Sequence, residues 1–349
     1  MSLHARIQVQ LDGFDLDVHL DASLGRVVAI VGPNGAGKTT TLRALQGTTP
    51  LSGGQIEVEG RMLDEPATGT FVPAEDRRIG MVHQDLLLFP HLDARDNVAF
   101  GLRARGLPRA EARREAQLRL DTIGLGALAR AMPRSLSGGQ AQRIALLRAL
   151  ATEPDLLLLD EPLAALDPAI RGDTRRDLRQ LLDGYRGIAI VVTHDPIDAL
   201  TLAEDVVVIE HGRVAQAGPI AEVTARPRSR HVAELIGTNL LRGEAAGSKV
   251  VVEAATIHLA EPMEGPAFVL IPPSAVTVHT SKPEGSARNR WAMVVSGIEP
   301  SGERARLRLN GPLPLVAEIT AASLADLRLQ TGTEIWASVK ATEVRAYLR

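Results

Sequence analysis

The chain of 349 residues carries 39 basic and 42 acidic side chains, a formal net charge of −3, and no cysteine. That length suggests two or three domains at roughly 150 residues each, and an apolar share of 45 % gives each a core to bury. The charge argues against nucleic-acid binding through bulk positive potential, and the lack of cysteine excludes disulfides, thiol nucleophiles and Cys-ligated zinc.

No apolar run approaches the ~18 residues of a membrane span. The N-terminus lacks the basic-then-apolar order of a secretory signal. The expectation is a soluble, cytosolic chain that can still dock on a membrane protein. The basic residues are almost all arginine; the only lysines are Lys38, Lys249, Lys282 and Lys340. In such a chain a lysine marks a place where a compact, flexible point charge could matter.

Residues 1–235 read as alternating short β-rich runs and helical stretches. Arg26–Val31 suits a buried strand that feeds a glycine loop, with a helix from Lys38 to about Leu45. Arg78–Val82 precedes His83-Gln84, and Leu107–Leu120 is a charged, alanine-rich helical stretch. Leu136–Gln140 precedes a helix over Ala141–Ala151, which Pro154 stops. Leu156–Asp160 and Ile188–Thr193 are continuous apolar runs suited to a sheet covered on both faces. Val206–Glu210, His211-Gly212 and Arg213–Gln216 read as a hairpin.

From about Leu240 helical signals fade, and β-rich runs are punctuated by Pro-Pro, Glu-Gly and Asn-Gly pairs, as in a small all-β domain. Val269–Val276 resembles Ala337–Val344, which two strand–turn–strand units of similar build would explain; chance similarity between hairpins would explain it nearly as well.

The chemistry concentrates in a few places. Gly32-Pro33-Asn34-Gly35-Ala36-Gly37-Lys38-Thr39-Thr40 fits a phosphate loop: backbone amides curl round an anion and a helix N-terminus follows. Lys38 can reach the β- and γ-phosphates, and the Thr39 hydroxyl can ligate Mg²⁺. Asp160 closes an apolar strand where it would face that Mg²⁺, and Glu161 is placed to polarise an attacking water. Alone, Asp160-Glu161 would read as a surface pair at a strand end. Gln84 and His194 are lone polar residues after strands, positioned for Mg²⁺ and γ-phosphate contacts respectively. Ser137-Gly138-Gly139-Gln140 opens a helix and could form a second anion site, to serve the ATP of another copy. In isolation it would be an ordinary serine-capped helix.

Together these residues resemble the nucleotide-binding subunit of ABC transporters over residues 1–235. The resemblance implies a P-loop α/β domain with a helical subdomain. It implies Lys38 and Thr39 in Walker A, Gln84 as Q-loop, Ser137 to Gln140 as signature, Asp160 as Walker B aspartate and Glu161 as catalytic glutamate. Ala165-Leu166-Asp167 would be the D-loop and His194 the switch histidine. ATP and Mg²⁺ would be the cofactors, and two copies would close head-to-tail on the cytoplasmic face of the membrane. Leu86–Leu92 with Asn97–Leu102 is similar to importer ATPases for oxyanions, polyamines, iron and sugars, where it receives a permease helix; a substrate-binding protein takes part indirectly. The aromatic residue that stacks adenine in the family is not at the expected count upstream, where Val9 stands; the nearest aromatic is Phe14.

The tail resembles the molybdate-binding Mop domain, an OB-like or TOBE-type module found on molybdate-transport ATPases and sensors. It implies oxyanion contacts from Ser286, Arg288 and Lys340 over residues 286–349, with 236–285 as linker and first β unit. The expectation is an importer ATPase for molybdate or tungstate, regulated by internal oxyanion. Sulfate, polyamine or iron import and a molybdate sensor or storage protein are the alternatives. A soluble ABC ATPase acting on DNA or ribosomes is disfavoured by low basicity and the lack of long coiled-coil insertions.

Overall fold

Strict alternation of apolar and polar residues makes β1 (Ser2–Leu11) and β2 (Phe14–Ser23) an antiparallel pair, with Leu3, Ala5, Ile7 and Val9 buried alongside Leu16, Val18 and Leu20. β3 (Val27–Val31) is buried along its whole length and feeds the glycine loop and α1 (Lys38–Gln46). This computed structural model describes residues 2–11 and 13–349. Two compact units emerge, Met1–Val223 and Thr224–Arg349.

In the first unit β4 (Gly53–Val58), β5 (Arg61–Glu65) and β6 (Thr70–Phe71) extend the antiparallel wing begun by β1 and β2. β7 (Ile79–Val82) is followed by a helical layer of α2 (Ala94–Ala104), α3 (Arg109–Thr122) and α4 (Gly138–Leu150). Ala112 and Ala116 of α3 are fully buried with Val98, Leu120 and Ile144, so small side chains let these helices approach closely. Then come β8 (Leu156–Asp160), α5 (Pro168–Asp183), β9 (Ile188–Val192), α6 (Pro196–Leu202), β10 (Asp205–Glu210), β11 (Arg213–Pro219) and α7 (Ile220–Ala225).

The strand order is β6-β5-β4-β1-β2-β11-β10-β3-β9-β8-β7. From β10 to β7 every neighbour is parallel. The carboxyl ends of β3, β8 and β9 therefore share one edge, where open parallel sheets bind ligands.

Two helices start elsewhere than their sequence suggests. α3 begins after Pro108, which stands at its N-cap in extended conformation, so Leu107 is excluded. α4 begins at Gly138 rather than Ala141, because Ser137 and Gln140 cap each other's backbone and draw both glycines into the first turn.

The second unit opens with α8 (Arg230–Leu235), β12 (Asn239–Val252), β13 (Ala255–Ile271) and β14 (Thr277–His279). It continues with β15 (Asn289–Ser301), β16 (Arg304–Asn310), β17 (Leu315–Thr320), α9 (Ala321–Asp326), β18 (Glu334–Val339) and β19 (Arg345–Leu348). These form the sheets β12-β13-β19 and β14-β18-β15-β16-β17 around one core. The structural division falls earlier than residue 235: the unit starts at Thr224, and residues 239–279, expected as linker and first β unit, pack in the same core as 289–346. The all-β expectation is also modified, by α8 and by α9, which Thr320 caps.

The internal resemblance is structural. β13 and β18 each run into a one-turn 3₁₀ helix, Pro273–Ala275 and Ala341–Glu343, and then into a short strand. The short strands are exchanged, so that β14 pairs with β18 and β19 pairs with β13. Two buried asparagines occupy matching places, Asn239 opposite Ile271 and Asn289 opposite Val339. Asn239 bonds the Val316 amide and carbonyl at 2.6 and 2.9 Å. Asn289 bonds the His258 amide and carbonyl at 2.6 and 3.0 Å. Each asparagine thus clamps a strand of the other half.

Candidate functional site

The loop between β3 and α1 is shaped by close approach. A Cβ on Gly32 would stand 2.1 Å from the Ile209 carbonyl oxygen, and Gly37 holds a left-handed φ of 106° with Leu16 Cδ1 2.4 Å from where its Cβ would be. The amides of Gly35, Gly37, Lys38, Thr39 and Thr40 donate to no carbonyl among the described residues. These free donors, at the start of a helix, fit a polyphosphate. Pro33, Asn34 and Ala36 complete the curve, the Ala36 amide donating to the Pro33 carbonyl at 3.2 Å.

Lys38 is buried at 7 % exposure, its Nζ donating to the Gly32 and Pro33 carbonyls at 2.7 and 3.0 Å. Burial lowers its pKa, and the charges of Glu161 and Asp160 act in the opposite sense. Asp160 is pushed up, first by burial and then by Glu161, while His83, Arg43 and Lys38 pull it down. Glu161 occupies a left-handed φ of 46°, strained for a side chain-bearing residue, and its amide donates to the Val192 carbonyl at 2.9 Å. His194 follows β9, with Nδ1 3.2 Å from Glu161 Oε2. Lys38, Asp160, Glu161, His194 and His83 are therefore gathered at the strand ends. Gln84 is exposed just after β7 and Thr39 is exposed in the first turn of α1.

This donor set fits Mg²⁺. No cluster of three histidine or acidic side chains that could hold a metal exists among the described residues. A hard cation that takes one carboxylate, hydroxyl or amide oxygens and the oxygens of its own phosphates needs none. Asp160, Thr39 and Gln84 carry oxygens of these kinds, and a cation there would offset the burial that raises the Asp160 pKa.

The signature turn is not part of this gathering. Ser137 Oγ accepts from the Gln140 amide at 3.3 Å, and Gln140 Oε1 accepts from the Ser137 amide at 2.9 Å. A Cβ on Gly138 would be 3.0 Å from Leu166 Cδ2, and one on Gly139 3.0 Å from Thr174 Oγ1, so the turn leans on the stretch around Asp167 and on α5. No hydrogen bond or ion pair joins it to the phosphate loop among the described residues. Ser137 and Gly138 are exposed, as is Asp167, the residue before α5.

Three further side chains lie around this gathering, outside the motifs themselves. Val9 is 3 % exposed in the core and cannot meet a base, whereas a Cβ on Gly37 would be 3.1 Å from Phe14 Cζ, which sets that ring beside the phosphate loop. Arg171 bonds the Ala164 carbonyl at 3.2 Å and Asp195 at 3.1 Å, joining the segment before Asp167 to the residue after His194. Arg148 bonds the turn after Gln84. No motif marked the two arginines: the Arg148 partners lie 61 and 62 residues away, and Arg171 joins a carbonyl seven residues back to a carboxylate 24 residues on.

In the second unit the β15–β18 register pairs Asn289 with Val339, so Arg288 and Lys340 leave the sheet side by side one step further on. Both are exposed, with Ser286 exposed nearby, and neither makes an ion pair among the described residues. Like charges set opposite each other across strands are unfavourable. An anion would relieve them.

Family models match in two places, the ABC transporter model over residues 16–164 and the TOBE domain model over residues 285–346. The chain is 40 % identical over 343 residues to the molybdenum import ATP-binding protein of Mycobacterium tuberculosis, covering 94 % of this chain and 93 % of that one. It is 35 % identical over 333 residues to the molybdate/tungstate import ATP-binding protein of Pyrococcus horikoshii, covering 95 % of each. It is also 39 % identical over 340 residues to the sulfate/thiosulfate import ATP-binding protein of Burkholderia mallei, covering 94 % and 93 %.

Proposed function

Since the chain belongs to the ATP-binding subunits of ABC importers, we propose that it hydrolyses ATP to drive import of molybdate or tungstate through a membrane permease. The observation that carries the oxyanion reading is the unpaired Arg288–Lys340 couple at the end of β15 and β18. Sulfate is the second reading, favoured by a sulfate/thiosulfate relative covering nearly the whole chain.

In this reading two copies close head-to-tail. The free amides of Gly35 and of Gly37 to Thr40 and the Lys38 ammonium hold the triphosphate of one copy, and Phe14 covers the base. The exposed signature turn of the other copy, Ser137 to Gln140, seals the γ-phosphate, with Asp167 at the seam. Bound Mg²⁺ would neutralise phosphate charge, held by Thr39, Asp160 and Gln84. Glu161 orients and deprotonates the attacking water, and His194, already 3.2 Å from its carboxylate, fixes its direction. Among the described residues no helix is long and apolar enough to cross a membrane; in this reading the chain acts from the cytoplasmic face through the exposed Leu87 and Phe100. A substrate-binding protein delivers the anion, and oxyanion on the second unit holds the ATPase halves apart.

Equilibrium binding of molybdate, tungstate and sulfate to wild type and Arg288→Ala, with ATPase assays of the reconstituted transporter across anion concentrations, tests this. Molybdate or tungstate should bind with about tenfold preference over sulfate, lose affinity on Arg288→Ala, and slow ATPase. Preference for sulfate, or ATPase indifferent to all three anions, would sink the corresponding part.

A further inference from the structure

α4 begins at the Ser137 cap and presents Arg148 three turns later, about 16 Å along the axis and on nearly the same face. Arg148 Nη1 donates to the Leu87 carbonyl at 2.6 Å and Nη2 to the Leu86 carbonyl at 2.8 Å. Those leucines hold φ values of 59° and 45°, a consecutive left-handed pair without glycine. Such a step survives only where its surroundings over-determine it.

The same guanidinium lies 5.3 Å from the centroid of Phe89. Phe89 stacks at 4.4 Å on Phe100, and the buried Asn97 side chain bonds its amide and carbonyl at 2.8 and 3.2 Å. Leu87 and Phe100 are 55 % and 44 % exposed, so this turn presents an apolar surface. Among the described residues no carboxylate pairs with Arg148, and burial alone lowers its pKa. Two carbonyls and one ring are what offset its desolvation. An ammonium could not serve both carbonyls with the same planar fork.

We propose that Arg148 is a positioning residue that locks the Leu86–Phe89 turn to the signature helix, so that displacement of Ser137 during ATP closure reaches the permease-facing surface. The proposal rests on the importer reading above. Arg148 touches neither nucleotide nor the reacting groups; it acts through the backbone it holds.

Wild type, Arg148→Lys and Arg148→Met decide it in two settings. In the isolated chain, hydrogen exchange at the amides of residues 85–89 should quicken about tenfold in both variants. The basal kcat and the KM for ATP should stay within about twofold of wild type. In membranes with the permease, its stimulation of ATPase should fall about tenfold at unchanged KM. Should Arg148→Met fail to fold, Arg148→Lys carries both arms alone. Unchanged exchange, or wild-type stimulation in Arg148→Lys, overturns the proposal. A wild type that no permease stimulates defeats the importer reading instead, while the exchange arm still decides the link.

Discussion

The two units assemble their candidate sites by opposite means. In the first, the groups arrive in short runs at strand ends, and a parallel sheet brings the ends of β3, β8 and β9 together. Backbone does much of the work there, through free amides and a left-handed Glu161. In the second, Arg288 and Lys340 are 52 residues apart and are set opposite each other only because β15 and β18 pair in one register. A site made of contiguous motif tolerates change in its scaffold; a site made of register is lost with a single slip.

Glu161→Gln strikes the first kind of site and should have the largest effect. If Glu161 is the general base proposed above, its removal should lower kcat about 10²–10⁴-fold while ATP still binds, trapping a dimer visible by light scattering. Near wild-type turnover would remove Glu161 from its role. Asn289→Ala strikes the second kind. It strips the partner from the His258 amide and carbonyl in a buried site, and should cost about 2–4 kcal/mol. Calorimetry should show this in one transition, with basal ATPase of the first unit preserved. Loss of both together would show that the units are not separable in this way.

Asp160→Asn is the finest probe. Burial first, then Glu161, holds the Asp160 pKa above its ordinary 3.8. Between that value and the raised one the folded protein binds more protons, so stability falls as pH rises through the window, and the full cost persists above it. The substitution should therefore raise the melting temperature of the nucleotide-free protein at neutral pH. The gain should shrink toward pH 3.8. A neutral or destabilising change at pH 7 would contradict the electrostatic account.

These contrasts follow what was legible. β8 matched its sequence run end to end, because four leucines buried on both faces admit no other element of that length. The serine cap was legible, but the reciprocal bond from Gln140 was not, and two glycines that discourage helix in isolation hid the turn that Ser137 and Gln140 stabilise from both ends. Phe14 was underrated because counting along the chain cannot follow a β-hairpin that folds the ring back beside Gly37. Arg148 and Arg171 carried no motif signal, since a bond from Arg148 to a carbonyl 62 residues away and one from Arg171 to a carboxylate 24 residues on leave no trace in local pattern. In the tail the repeat was visible, but the exchange of its short strands was not, because pairing partners are a property of topology.

That exchange sets an order of events at the ribosome. β13 waits for β19, which emerges more than 70 residues later, so the three-stranded sheet keeps an open edge until residue 348 has been made. During that interval the nascent tail is exposed to mispairing with a neighbouring copy, and a chaperone or a slow stretch of translation near the end would have most to protect.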